Sequence, residues 1–188
     1  MKQVFYFWLR PSETLSAIQL EEPDQIKYKI NLLLIFVCFY ASLQLPESSL
    51  KSVSQDNEAM PYILKILLIL FLFLFFKYVV AFIIWTFGKL FQGVAGIQQV
   101  QLVQSYSMSP FLVLLPFACI QSMLNLCGYH TSITGTYSTL FRFVFSILVL
   151  RFMIIGLSRV NKFSFGYGLL TMVLTYSIPE LIKLVLGK

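Results

Sequence analysis

Charge is what this chain has least of. Only 12% of its 188 residues are Asp, Glu, Lys or Arg, against about 25% in an ordinary soluble domain. Hydrophobic residues make up 58%, and the mean hydropathy is +0.80. So few polar groups cannot cover a water-facing surface. A soluble globular domain is excluded, and an integral membrane protein is indicated.

Other scarcities narrow the chemistry. His130, in "CGYHTSITGTYS", is the single histidine. A multi-histidine metal site is therefore impossible within one chain, and no HExxH or cytoplasmic Ser-His arrangement can form. Asp24 and Asp56 fall in loops, without a paired carboxylate or a DxD spacing. Cys38, Cys119 and Cys127 sit in or at the ends of apolar runs, where cysteine acts as a small hydrophobe. No CxxC suggests metal or redox chemistry. Neither catalysis nor a cofactor or metal is expected. The opening residues, "MKQVFYFWLRPSETLSAIQLEEPDQIKYK", lack the apolar core and small-residue cleavage site of a signal peptide. They read as a retained segment outside the bilayer.

What the chain has in abundance is long apolar runs. Crossing about 30 Å of hydrocarbon takes roughly 20 mostly apolar residues. Five stretches meet or approach that: about 28–45, 62–87, 107–127, 138–158 and 167–186. They are too long and too uniformly apolar for barrel strands, and lipid cannot satisfy an open sheet. The expected fold is all-α, a polytopic bundle of five transmembrane helices. Residues 1–27 form an N-terminal cytoplasmic or interfacial segment and 28–188 the membrane domain.

Lysine and arginine outside the spans set the orientation. One side collects Lys2, Arg10, Lys27, Lys29, Lys89, Arg159 and Lys162, which is seven; the other has Lys51, Lys183 and Lys188, which is three. The N-terminus is expected in the cytoplasm and the C-terminus outside, in a bacterial inner membrane. Before the first span, "RPSETLSAIQLEEP" has Pro11 suited to a first helical turn, Glu13 near the positive dipole end, and Pro23 ending the pattern. Two placements are open for this short helix. It lies in the headgroups with Phe5, Phe7 and Trp8, or it packs on the bundle's cytoplasmic face.

Ionisable groups at membrane depth each cost roughly 2.5–3.5 kcal/mol at a helix centre. Glu180 is the one acid in any span, so an ion pair with Arg142, or with Lys183, is expected. Lys77 and Arg151 have no acid in the inner half. They either snorkel to the headgroups or, with Lys89 and Arg159, form a basic crevice for an anionic lipid.

Between the second and third spans lies "GKLFQGVAGIQQVQLVQSYSMSP", residues 88–110. Its glycines, Gly88, Gly93 and Gly96, fit no phosphate-binding fingerprint. A turn or close packing is expected of them. In "IQQVQLVQ" an apolar side of Ile97 and Val100 faces away from Gln98, Gln101 and Gln104. These glutamines suit a partner protein or the membrane interface, and packing beneath the bundle is the plainer alternative. Tyr106-Ser107 before Pro110 is echoed by Tyr176-Ser177 before Pro179. Such prolines kink membrane helices and free carbonyls.

This pattern resembles the Yip-one domain family, the Ypt/Rab-interacting membrane proteins. The resemblance rests on five spans, a short tail, and "FGKLFQGVAGIQQVQLVQSYSMSP", where a Gly-rich turn and a helix lead to Tyr106, Ser107 and Pro110. Ser105 stands where glycine is common in the family. Eukaryotic relatives carry an Asp-Leu-Tyr-Gly-Pro element and interact with Rab GTPases. This chain has no such element, so GTPase binding is not implied, and it looks like a compact prokaryotic member. The expected function is non-enzymatic: binding membrane lipids, other membrane proteins or a second copy, as a scaffold for membrane organisation or trafficking. Nucleic acid is not an expected partner. The alternative is a transporter or a subunit of a transport complex.

Overall fold

The structure is a computed structural model and describes residues 2–44, 60–126 and 134–185. Every regular element among them is helical. In chain order these are α1 (Lys2–Leu9), α2 (Pro11–Ile18), α3 (Pro23–Leu43), α4 (Met60–Leu74), a π-helical stretch (Phe75–Val80) and α5 (Ala81–Leu90). Then come α6 (Ile97–Ser107), α7 (Phe111–Leu126), α8 (Thr134–Asn161) and α9 (Phe165–Val185).

Proline begins helices here more than it ends them. Pro11 and Pro23 occupy the first turns of α2 and α3, where the missing N–H is not needed and the fixed φ is already helical. The first apolar helix therefore starts at Pro23, with Asp24 in its first turn, rather than near residue 28. Pro116 lies inside α7.

Among the described residues, three helices are long and apolar enough to cross a membrane: Pro23–Leu43, Tyr62–Leu90 and Thr139–Asn161. A fourth span is reached if Ile97–Ser107 and Phe111–Leu124, bent by 52° at the Met108–Pro110 turn, are taken together. The stretch 97–107, read above as a loop helix, is one arm of that bent apolar pair. Within α9 the described apolar part is the shorter Phe165–Ile178.

The core runs through α1, α2, α3, α6 and α8. Phe7, Leu15, Ile18, Leu34, Leu102, Val103, Tyr106 and Leu157 are all buried in it. Of the placements open to the N-terminal segment, packing on the bundle is the one seen for Phe7, Leu15 and Ile18. Phe5, Tyr6 and Leu9 face outward. Small residues let the helices approach. A Cβ on Gly156 of α8 would stand 2.5 Å from Val103 of α6, and one on Gly168 of α9 2.5 Å from Ser158 of α8. Close backbone approach through small residues is how helices gain packing energy where lipid supplies no hydrophobic drive. The second span is the exception: only 6% of its apolar window is buried.

Candidate functional site

The glycine-rich stretch is the junction of two helix ends. At the end of α5 the N–H of Gly93 donates to Gly88 O at 2.9 Å and that of Gln92 to Lys89 O at 3.0 Å. This paired bonding satisfies carbonyls that a helix end leaves open. The residue that takes the left-handed conformation is Gln92, at φ 61°, not a glycine. α8 ends in the same way: Phe163 N–H donates to Ser158 O, Lys162 N–H to Arg159 O, and Lys162 has φ 56°.

Asn161 joins the two ends. Its Oδ1 accepts from Ala95 N–H at 3.2 Å, its Nδ2 donates to Leu157 O at 3.2 Å, and its carbonyl accepts from Val94 N–H at 3.4 Å. The Gly93 position is glycine for space. A Cβ there would lie 2.2 Å from Asn161 Oδ1 and 2.7 Å from Gly88 O. Gly88 is buried against the same amide, whereas a Cβ on Gly96 would meet nothing within 4 Å. Two helix C-termini bring two negative dipole ends together. Lys89, Arg159 and Lys162 are the cations beside them, and Lys89 Nζ donates to Gly93 O at 3.0 Å.

The glutamines of α6 answer a second backbone problem. A π turn leaves carbonyls without their usual partner, and lipid offers none. Gln101 Nε2 donates to Lys77 O at 2.7 Å and Gln104 Nε2 to Phe76 O at 3.0 Å, both within the π stretch. Gln104 is fully buried. These two side chains point at the second span rather than outward. Gln98 is half-buried, and its amide reaches Pro23 O at 3.5 Å.

The motif residues cluster around the N-terminal helices. Tyr106 packs on Phe7 with centroids 5.6 Å apart, and Phe7 meets Phe152 at 5.4 Å. Ser107 and Pro110 are buried, and Trp8 Nε1 donates to Ser109 Oγ at 2.8 Å. At the α2–α3 turn Lys29 pairs with Glu21 and donates to Gln3 Oε1 at 2.8 Å, while Gln3 donates to Glu21 at 2.8 Å. The Lys29 contact holds the Glu21 carboxyl below its ordinary value, with burial opposing and the Gln3 amide assisting.

Of the four cations expected at a lipid crevice, Lys89 and Arg159 lie in the last turns of the two joined helices. Lys77 lies over the Phe73 and Tyr78 rings, and Lys89 is 6.0 Å from the Trp85 ring. Arg151 and Arg159 are exposed on α8. Arg142 donates to Gln44. The side chains of Glu180, the acid expected to pair with Arg142 or Lys183, and of Lys183 lie outside the described residues, as do His130 and Cys127. Among the described residues, no group of three or more His, Cys, Asp or Glu could hold a metal.

The profile of the Yip1 domain matches residues 5–182, nearly the whole chain. The chain belongs to the Yip1 family. That family comprises trafficking-associated membrane proteins that interact with other membrane proteins. No curated protein and no solved structure matches. As a Yip1 family member this is a multi-pass membrane protein. The resemblance read from the 87–110 stretch is confirmed. Sequence reading missed Asn161, Trp85 and the partner of Trp8. The first had a visible signal, a lone amide where a long apolar run stops. The indoles had none, because their partners are a hydroxyl 101 residues away and a backbone carbonyl.

Proposed function

We propose that this Yip1 family chain acts by binding rather than by catalysis. It is a five-span scaffold, N-terminus cytoplasmic, in a bacterial inner membrane, holding anionic lipids and partner membrane proteins. The observation that carries this reading is one of charge. From residue 59 to 179 the chain contains no Asp or Glu, yet it carries Lys65, Lys77, Lys89, Arg142, Arg151, Arg159 and Lys162. All ion pairs among the described residues lie before residue 30: Arg10–Glu13, Lys27–Asp24 and Lys29–Glu21. Counter-charge for the rest must come from outside the described residues, and an anionic bilayer surface supplies it. The little-buried second span and the exposed Phe5, Tyr6 and Leu20 offer apolar area for partner proteins or a second copy.

Photo-crosslinking from Leu20, 89% exposed, in native membranes tests the partner half of the reading. A protein adduct of defined mass supports it; lipid-only adducts defeat it. For the lipid half, native mass spectrometry compares wild type with a Lys77→Leu, Arg151→Leu variant. Equal anionic-lipid retention would remove those two cations from the site. A transporter is the second reading, favoured by the 52° break between Ile97–Ser107 and Phe111–Leu124, which resembles the discontinuous helices of transporters. Solute or ion flux by the purified chain in liposomes would replace the scaffold reading.

A further inference from the structure

Beside the two capped helix ends a cavity of about 380 Å³ opens between α5 and the start of α6. Phe82, Trp85, Val94 and Ile97 form its apolar walls, and Lys89 stands at its rim. Phe82, Val94 and Ile97 are well exposed, so the cavity communicates with whatever surrounds the span. The wall is fixed in place. Trp85 Nε1 donates to Ala95 O at 3.2 Å, and Lys89 is anchored by one proton on Gly93 O. An ammonium has three donors, so two remain for a ligand.

The surroundings say which sign of ligand fits. Val94 N–H is bonded to Asn161 O, which brings Lys162 and the end of α8 to the same short segment. On the other flank of the α6 start, a separate groove contains Glu21, already held by Lys29 and Gln3. The cavity thus combines an apolar trough, an indole, and cations that form no ion pair among the described residues. It sits at the end of the most exposed span. That combination suits a molecule with an acyl chain and an anionic head. The indole suits the headgroup level, where tryptophan is enriched.

We propose that this cavity seats one anionic phospholipid, its phosphate on Lys89 and its upper acyl chain along Phe82 and Trp85. This rests on the binding reading above and adds to it a place and a lipid class. It centres the contact on the Lys89 junction rather than on Lys77 and Arg151.

The chain has two tryptophans, Trp8 and Trp85, so Trp8→Phe leaves Trp85 as the single reporter. The full-length protein is reconstituted into vesicles containing brominated phosphatidylglycerol or brominated phosphatidylcholine, and Trp85 quenching is measured. Stronger quenching by phosphatidylglycerol is expected. Lys89→Gln should lower that preference about fivefold, the contribution of one cation near an anionic surface, and Lys89→Arg should keep it. Equal quenching by the two lipids in the folded Trp8→Phe protein, with Lys89 intact, overturns the proposal without any Lys89 variant having to fold. So does a preference unchanged in a folded Lys89→Gln protein. Quenching by both lipids that fades as protein is concentrated assigns the cavity to a second copy, which also overturns it. Failure here leaves the Leu20 crosslinking result standing, so the two readings fail separately.

Discussion

Gly93 and Asn161 are fitted so closely that a single methyl on the glycine would overlap the amide. Asn161 Oδ1 lies 2.2 Å and Asn161 Cγ 2.7 Å from where that Cβ would stand. The amide cannot retreat freely, because Ala95 N–H and Leu157 O hold it from two directions. On the opposite side, Gly88 O is backbone at 2.7 Å. Two helix ends are therefore locked by one glycine and one asparagine, 68 residues apart in sequence.

Gly93→Ala should lower stability by about 1–3 kcal/mol, the usual range for overpacking. Gly96→Ala is the internal control, since nothing lies within 4 Å of its added methyl. Thermal unfolding of both variants in the same detergent checks the pair. Equal melting temperatures would mean the junction is looser than its geometry.

Gln104→Leu keeps the bulk of the side chain and deletes the donor to Phe76 O. A buried carbonyl left unmet costs about 1–3 kcal/mol. The loss should be local as well as global: amide hydrogen exchange should quicken around Phe75–Val80 before it quickens in α8. Gln101→Leu, removing the donor to Lys77 O, should act in the same direction. A smaller effect is expected, because Gln101 is only half-buried.

These glutamines also show where sequence reading stopped. Composition and run length make the membrane class and helical fold legible, because hydrophobic length is a one-dimensional quantity. The Gly-rich turn and its Tyr106-Ser107-Pro110 sequel carried the family. Gln101 and Gln104 were legible as a polar face, with packing beneath the bundle as one placement, but the backbone carbonyls they meet were not. Nothing in "FLFLFFKYVV" announces a π turn whose carbonyls need donors. The Met108–Pro110 turn was read as the entry to a span; in the structure it is a 52° bend between two apolar helices, α6 and α7. Gly93 was correctly linked to a turn or close packing. Its amide partner lies 68 residues on, and only tertiary packing could reveal it.

The Gln3–Glu21–Lys29 group should make stability sensitive to acid. Lys29 holds the folded-state carboxyl of Glu21 below its ordinary 4.5. The unfolded chain then binds the proton more readily than the folded one. The stabilisation is present above pH 4.5, and it is lost as pH falls through the lower folded value. Wild type should melt above Glu21→Gln at neutral pH, and the two should converge in acid. A gap independent of pH would assign the difference to packing or amide bonding instead of charge.

Trp8 and Phe7 anchor α1 by different physics, and the variants should separate them. Trp8→Phe deletes the bond to Ser109 Oγ, whose residue is fully buried, and should cost about 0.5–1.5 kcal/mol. Phe7→Ala removes a fully buried ring packed on Tyr106 and Phe152, and about 3–5 kcal/mol is expected. Limited proteolysis before Pro11 gives the readout. Phe7→Ala should expose residues 2–9 to cleavage while the span helices stay protected, and Trp8→Phe should leave them mostly protected. Cleavage of Trp8→Phe with Phe7→Ala still protected would place the anchor of α1 in the indole bond rather than in the ring packing.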